Sequence, residues 1–134
     1  MYLLDTNVLS EPLKKVPNAG VLTWLGQQST VKASVISLME LEAGVMGAPA
    51  PRRAPLTAWL EELVSSPAHA FVPIDTVVAR AAGQLKHRSA QAGRPRPWAD
   101  LVIAASALVT ASVVVTRNTQ DFEGLGIPLL NPFT

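Results

Sequence analysis

The chain has no cysteine among its 134 residues, which excludes disulfides, thiolate zinc sites and a cysteine nucleophile. Charge is also scarce. Only 16% of residues are Asp, Glu, Lys or Arg, while 49% are hydrophobic, a balance that argues against disorder and leaves apolar surface for a partner to cover. Net charge is +1, so the broad basic footprint of many duplex-DNA binders is missing and any nucleic-acid contact must be local. Neither G-x-G-x-x-G nor a P-loop follows a strand-like run, which disfavours a nucleotide-binding module. The two histidines, His69 and His87, fall on separate elements, a poor basis for the paired acid and base of a metal-free ribonuclease. The uncharged stretch Leu101 to Thr116 is short for a membrane span and turns β-branched at Val113-Val114-Val115. Because the first strand-like run begins at Met1 or Tyr2, no charged leader or apolar signal core is expected, which predicts a cytoplasmic protein.

What is present alternates between short apolar runs and helical spacing. Strands are predicted at Tyr2–Leu4, Val31–Val35, Ala70–Ile74, Val113–Val115 and Ile127–Leu130. Helices are predicted at Val21–Gln28, Ile36–Met46, Leu56–Val64, Thr76–Gln91 and from Trp98 to about Thr110, with a helical turn at Thr119–Glu123. In the Thr76–Gln91 helix, Val77, Val78, Ala81, Ala82 and Leu85 are expected to face inward. Three prolines and three alanines interleave from Ala48 to Pro55, a segment that reads as a stiff surface connection rather than a helix interior. This order predicts a single α/β domain over residues 1–134, with a central parallel sheet covered on both faces. Ligands in such sheets bind outside the carboxyl ends of the strands.

Four acids, Asp5, Glu40, Asp100 and Asp121, stand singly in apolar or small-residue surroundings. Each has an ordinary role beside a functional one. Asp5 closes the first strand and could cap the helix that follows. Glu40 ends Ser37-Leu38-Met39-Glu40, an S-x-x-E capping box. Asp121 could be a solvated helical residue. Asp100 is the sharpest signal, a lone carboxylate in the first turn of a helix apolar on every side, where the helix dipole favours its ionised form. Asp75 reads as an N-cap, and Glu61 and Glu62 as an exposed face.

Gathered together, four carboxylates would repel one another unless a cation joined them or some stayed protonated. Mg²⁺ or Mn²⁺ is the natural occupant, needing only one or two direct carboxylates plus waters and phosphate oxygens. Such an ion lowers the pKa of bound water and neutralises a phosphodiester. Arg94 and Arg96, flanking the start of the Asp100 helix, are the best candidates for phosphate contact, followed by Lys14 and Lys15, with ordinary solubilising charge as the competing role. Trp98 could stack on a base or pack in the core or at a dimer contact.

These pieces resemble the PIN-domain ribonucleases, most closely the toxins of VapBC/FitAB-type toxin–antitoxin pairs. The matching segments are Asp5-Thr6-Asn7-Val8-Leu9-Ser10-Glu11, Ser37-Leu38-Met39-Glu40-Leu41 with Gly44, Trp98-Ala99-Asp100-Leu101-Val102-Ile103-Ala104-Ala105, Thr116-Arg117-Asn118 with Asp121-Phe122, and Asn131-Pro132-Phe133. The resemblance implies a three-layer α/β/α sandwich and an acidic pocket that binds Mg²⁺ or Mn²⁺ and hydrolyses RNA. By motif position, Asp5, Glu40, Asp100 and Asp121 would form the catalytic and metal-binding quartet, with Asp5 and Asp100 as direct ligands. Thr6 would be an outer-shell hydroxyl and Asn118 a polar neighbour of Asp121. The resemblance also implies a homodimer and a cognate antitoxin that inserts a segment, often bearing arginine, into the pocket. A non-catalytic RNA- or partner-binding module that keeps the fold is the alternative.

Overall fold

The computed structural model describes residues 1–134. Five parallel strands form one sheet: β1 (Tyr2–Leu4), β2 (Val31–Ser34), β3 (His69–Val72), β4 (Val113–Val115) and β5 (Leu129–Leu130), in the order β3-β2-β1-β4-β5. Leu4 of β1 lies opposite Ala33 on one side and Val115 on the other. Strand order therefore reverses at β1, and the crevice at its carboxyl end is the topological switch point where parallel sheets bind ligands.

The strand alternation sorts the core into two halves. Leu3 and Val114 point to one face, which is covered by α5 (Thr76–Gln91) and α6 (Trp98–Val109). Leu4 and Val115 point to the other, covered by α1 (Thr6–Ser10), α2 (Ala19–Gly26), α3 (Val35–Met46) and α4 (Ala50–Ser65). This is the expected three-layer sandwich. Leu101 through Ala107 of α6 are all buried, as a helix without a polar side must be. No helix is long and apolar enough to cross a membrane.

From Ala50 onward, the expected connection at 48–55 is instead the first part of α4. Pro51 sits in the first turn, where a missing N–H removes no helical bond. Pro55 does remove one, but residues 50–55 are all exposed, so water can serve the freed carbonyl. The Arg53 guanidinium donates back to the Ala48 carbonyl at 2.9 Å and steadies the helix start. Val77 is a second correction: it is 60% exposed, and Val78, Ala82 and Leu85 carry the inward face of α5. Trp98 is 54% exposed rather than in the core, with the Lys86 ammonium 4.9 Å above its ring. The stretch after Asp5 is more helical than its turn residues suggest, with α1 running into a 3-10 turn at Glu11–Leu13. Asp75 caps α5 through the Val78 N–H, as read from the sequence.

Candidate functional site

Asp5 is placed by the end of β1. Its backbone N–H donates to the Val115 carbonyl at 2.9 Å, so the residue leaves the sheet beside the end of β4. Its carboxylate, 8% exposed, accepts from the Thr6 N–H at 2.7 Å, from Asn7 Nδ2 at 3.1 Å and from Thr116 Oγ1 at 2.8 Å. Helix capping and site placement are thus the same contact seen from two ends. Burial pushes its pKa up; the Thr116, Thr6 and Asn7 hydrogen bonds pull the other way, and the charge of Glu40 adds to the rise.

Thr116 is the residue that sequence reasoning passed over, except as part of a motif. It is fully buried, and its hydroxyl also accepts from the Asn118 N–H at 3.0 Å. The signal was available in the register. Leu4 pairs with Val115, so the residues after them, Asp5 and Thr116, must emerge side by side. Asn7 ties the same two loops together, its Oδ1 accepting from the Arg117 N–H at 3.2 Å.

Glu40 does not close a capping box. Ser34 caps α3 by accepting from the Ile36 N–H, which leaves Ser37 buried inside the helix. Glu40 instead accepts from Thr6 Oγ1 at 2.8 Å, and the same hydroxyl lies 2.9 Å from Ser37 Oγ. Thr6, directly after Asp5, therefore links the acid of β1 to the acid of α3.

Asp100 occupies the first turn of α6, half-buried. Its pKa is pushed up to about 6, first by burial and then by the charges of Asp5, Asp121 and Glu40, with Arg96 opposing. Asp100 thus stands near enough to each of the other three acids to feel its charge. The only ion pair in the chain is Lys14 with Glu11 at 2.8 Å, so none of the four is neutralised by a salt bridge. Nor do three of them converge closely enough to chelate an ion unaided. A cation here would complete its coordination with waters and substrate oxygens, as magnesium and manganese ordinarily do.

Asp121 ends the 3-10 turn Thr119–Asp121, which is gripped from the loop before α6. Arg94 donates to the Gln120 carbonyl at 3.0 Å. Arg96, 8% exposed, donates to the Asp121 carbonyl at 2.7 Å and to the Glu123 carbonyl. This corrects the reading of Arg96 as a phosphate contact: its guanidinium is buried and spent on backbone carbonyls, and it acts as a clamp. Arg94 remains exposed with further donors free. Asn118 borders Asp121 through the backbone, its carbonyl accepting the Asp121 N–H at 3.0 Å. His69 and His87 line different recesses and cannot form an acid–base pair.

The chain matches the PIN domain family over residues 2–127. It is 39% identical to the plasmid stability protein StbB of Pseudomonas syringae pv. tomato, over 99% of both chains. It is 35% identical to the VapC ribonuclease Y4jK of Sinorhizobium fredii, over 99% of this chain and 98% of the relative. The crystal structure of FitAcB from Neisseria gonorrhoeae superposes with a TM-score of 0.88 at 33% identity, covering 98% of each chain. With a parallel sheet ordered β3-β2-β1-β4-β5 and a family match along nearly its whole length, this chain belongs to the PIN-domain family.

Proposed function

We propose that the chain is an endoribonuclease that uses Mg²⁺ or Mn²⁺ to hydrolyse RNA phosphodiester bonds, and that it is the toxin of a toxin–antitoxin pair. The observation that carries this reading is a set of acids without salt-bridge partners: Asp5 buried at the end of β1, Glu40 tied to it through Thr6, and Asp100 half-buried at the start of α6, where the charges of the others push its pKa up. Such a set favours a divalent cation and, through it, a phosphate. The similarity to a protein named VapC ribonuclease supports the choice of RNA.

Asp5 and Asp100 would hold the ion directly, with Glu40 and Asp121 holding its waters. The bound ion would supply an activated water and neutralise charge on the phosphate. The protein's own part is placement. Thr116, Thr6 and Asn7 fix both oxygens of Asp5 and oppose its protonation. Thr6 also orients Glu40. The Arg96 clamp holds the turn that presents Asp121. Arg94 and Asn118, which contact the turn carrying Asp121, would meet substrate phosphates.

An antitoxin fits a second feature, the apolar surface between α3 and α4. Met39 and Met46 are each 63% exposed there, and Val64 is 44% exposed. Grouped apolar exposure of this kind marks a protein contact. Homodimerisation belongs to the same reading, and sizing the purified chain by light scattering checks it.

The test is cleavage of RNA by the purified chain with added magnesium or manganese. The reading expects activity that EDTA abolishes and that the Asp5→Asn/Asp100→Asn variant lacks. Undiminished cleavage by that variant rejects it. A non-catalytic module draws on the absence of a ready-made chelate; calorimetry showing no metal binding to the wild-type chain would favour it.

A further inference from the structure

Between Asp75 and Asp100 the chain has no acidic residue, yet this stretch holds Arg80, Lys86, Arg88, Arg94 and Arg96, five of the eleven lysines and arginines. None of them is in a salt bridge. Their placement is not scattered. Arg80, Gln84 and Arg88 recur every four residues, with His87 beside them, and so form one stripe along the solvent side of α5. All four are exposed and line a shallow open groove with Gly83. The stripe runs roughly 12 Å along the helix from Arg80 to Arg88, at about 1.5 Å per residue.

Arg88 also borders a second recess, of about 110 Å³. Arg94 and Arg96 form another part of its wall, and the segment Glu123-Gly124-Leu125 closes it. These are the arginines that grip the turn carrying Asp121. The basic stripe therefore leads, through Arg88, Arg94 and Arg96, to the turn that carries Asp121. Glu123 is the one acid at the border.

An acidic pocket repels the substrate strand on either side of the bond it cuts. Holding that strand needs positive charge close by but outside the metal site, and donors spaced for successive phosphates supply it. We infer that the outer face of α5, from Arg80 through Gln84, His87 and Arg88 to Arg94, holds the backbone phosphates of the RNA beyond the cleaved bond. This rests on the ribonuclease reading above and adds the path of the strand to it. Side chains such as these meet phosphates without reading bases, so the face supplies affinity and register rather than sequence choice.

The test compares two charge-matched variants of the full chain, Arg80→Gln/Arg88→Gln on the stripe and Arg52→Gln/Arg53→Gln on α4. Binding to a fluorescein-labelled oligoribonucleotide of mixed sequence is read by anisotropy in EDTA, across a salt series, so that cleavage does not intrude. For single strands each lost phosphate contact lowers the salt slope by about 0.7, so the stripe variant should lose about 1.4 in slope and about 25-fold in affinity at about 0.1 M salt. The α4 variant should stay near wild type in both. Equal effects from the two variants, or no effect from the stripe variant while the wild-type chain still binds and cleaves, overturn the inference and leave the ribonuclease reading standing. A wild-type chain that neither binds nor cleaves RNA with metal added removes that reading, and the strand path with it.

Discussion

Replacing Thr116 by valine keeps the volume of a buried side chain and deletes one hydroxyl. That hydroxyl donates to Asp5 Oδ2 at 2.8 Å and accepts from the Asn118 N–H at 3.0 Å. It is the foremost of the contacts that oppose the upward push of burial on Asp5. A hydrogen bond to a charged group is worth about 1.5–3 kcal/mol, so its loss pushes the Asp5 pKa further up and should weaken Mn²⁺ binding on the acid side by about tenfold or more, at about 1.4 kcal/mol per factor of ten. Metal binding needs the ionised carboxylate, so the midpoint of Mn²⁺ affinity against pH should move upward in Thr116→Val. Thr116→Ser retains the hydroxyl and should titrate like wild type. Isothermal titration of Mn²⁺ between pH 5 and about 8 reads the shift directly. A Thr116→Val profile that overlies the wild-type curve, with the fold intact by circular dichroism, would refute the claim that this hydroxyl keeps Asp5 ionised.

Asp100 gives a pH prediction of its own. With its pKa at about 6, about nine-tenths of the group is ionised at pH 7 and about one-tenth at pH 5, so metal affinity and kcat/KM should fall about tenfold between them. Because this folded-state value lies above the unfolded 3.8, the group's contribution to stability is fully present below pH 3.8 and is lost as pH rises through about 6. Melting in EDTA should show that loss, and added Mn²⁺ should offset it more at pH 7 than at pH 5. Arg96→Met leaves the Asp121 and Glu123 carbonyls without their donor and should destabilise by roughly 2–4 kcal/mol in urea denaturation, with Arg96→Lys recovering only part; no measurable loss in the methionine variant contradicts the clamp. Pro55→Ala restores a helical N–H inside α4 and should stabilise by about 1–3 kcal/mol, whereas a destabilised alanine variant would mean that the helix does not run through this position.

The sheet was legible because buried parallel strands are written as short β-branched and leucine runs, and β1 and β4 fall where those runs fall. The first-turn acid of α6 was legible because nothing else charged shares its helix. The opening of α4 was not. Proline propensity argues against a helix there, and only the exposure of residues 50–55, a tertiary fact, makes the loss tolerable. Arg96 misled for a related reason: a basic residue beside an acidic pocket looks like a phosphate ligand until the carbonyls of a turn 25 residues away are found on its guanidinium. Glu40 fitted a capping box by spacing, but its supposed partner Ser37 is an interior residue, and Glu40 accepts from Thr6 instead. Sequence spacing carried the local geometry, and the partners came from strand register and chain return.

Anomalous diffraction from crystals soaked in Mn²⁺ tests the central claim most directly. The account predicts one strong peak between Asp5 and Asp100, with Glu40 and Asp121 around it. A peak seated elsewhere, or none beside these acids in well-ordered crystals at pH 7 or above, would contradict it.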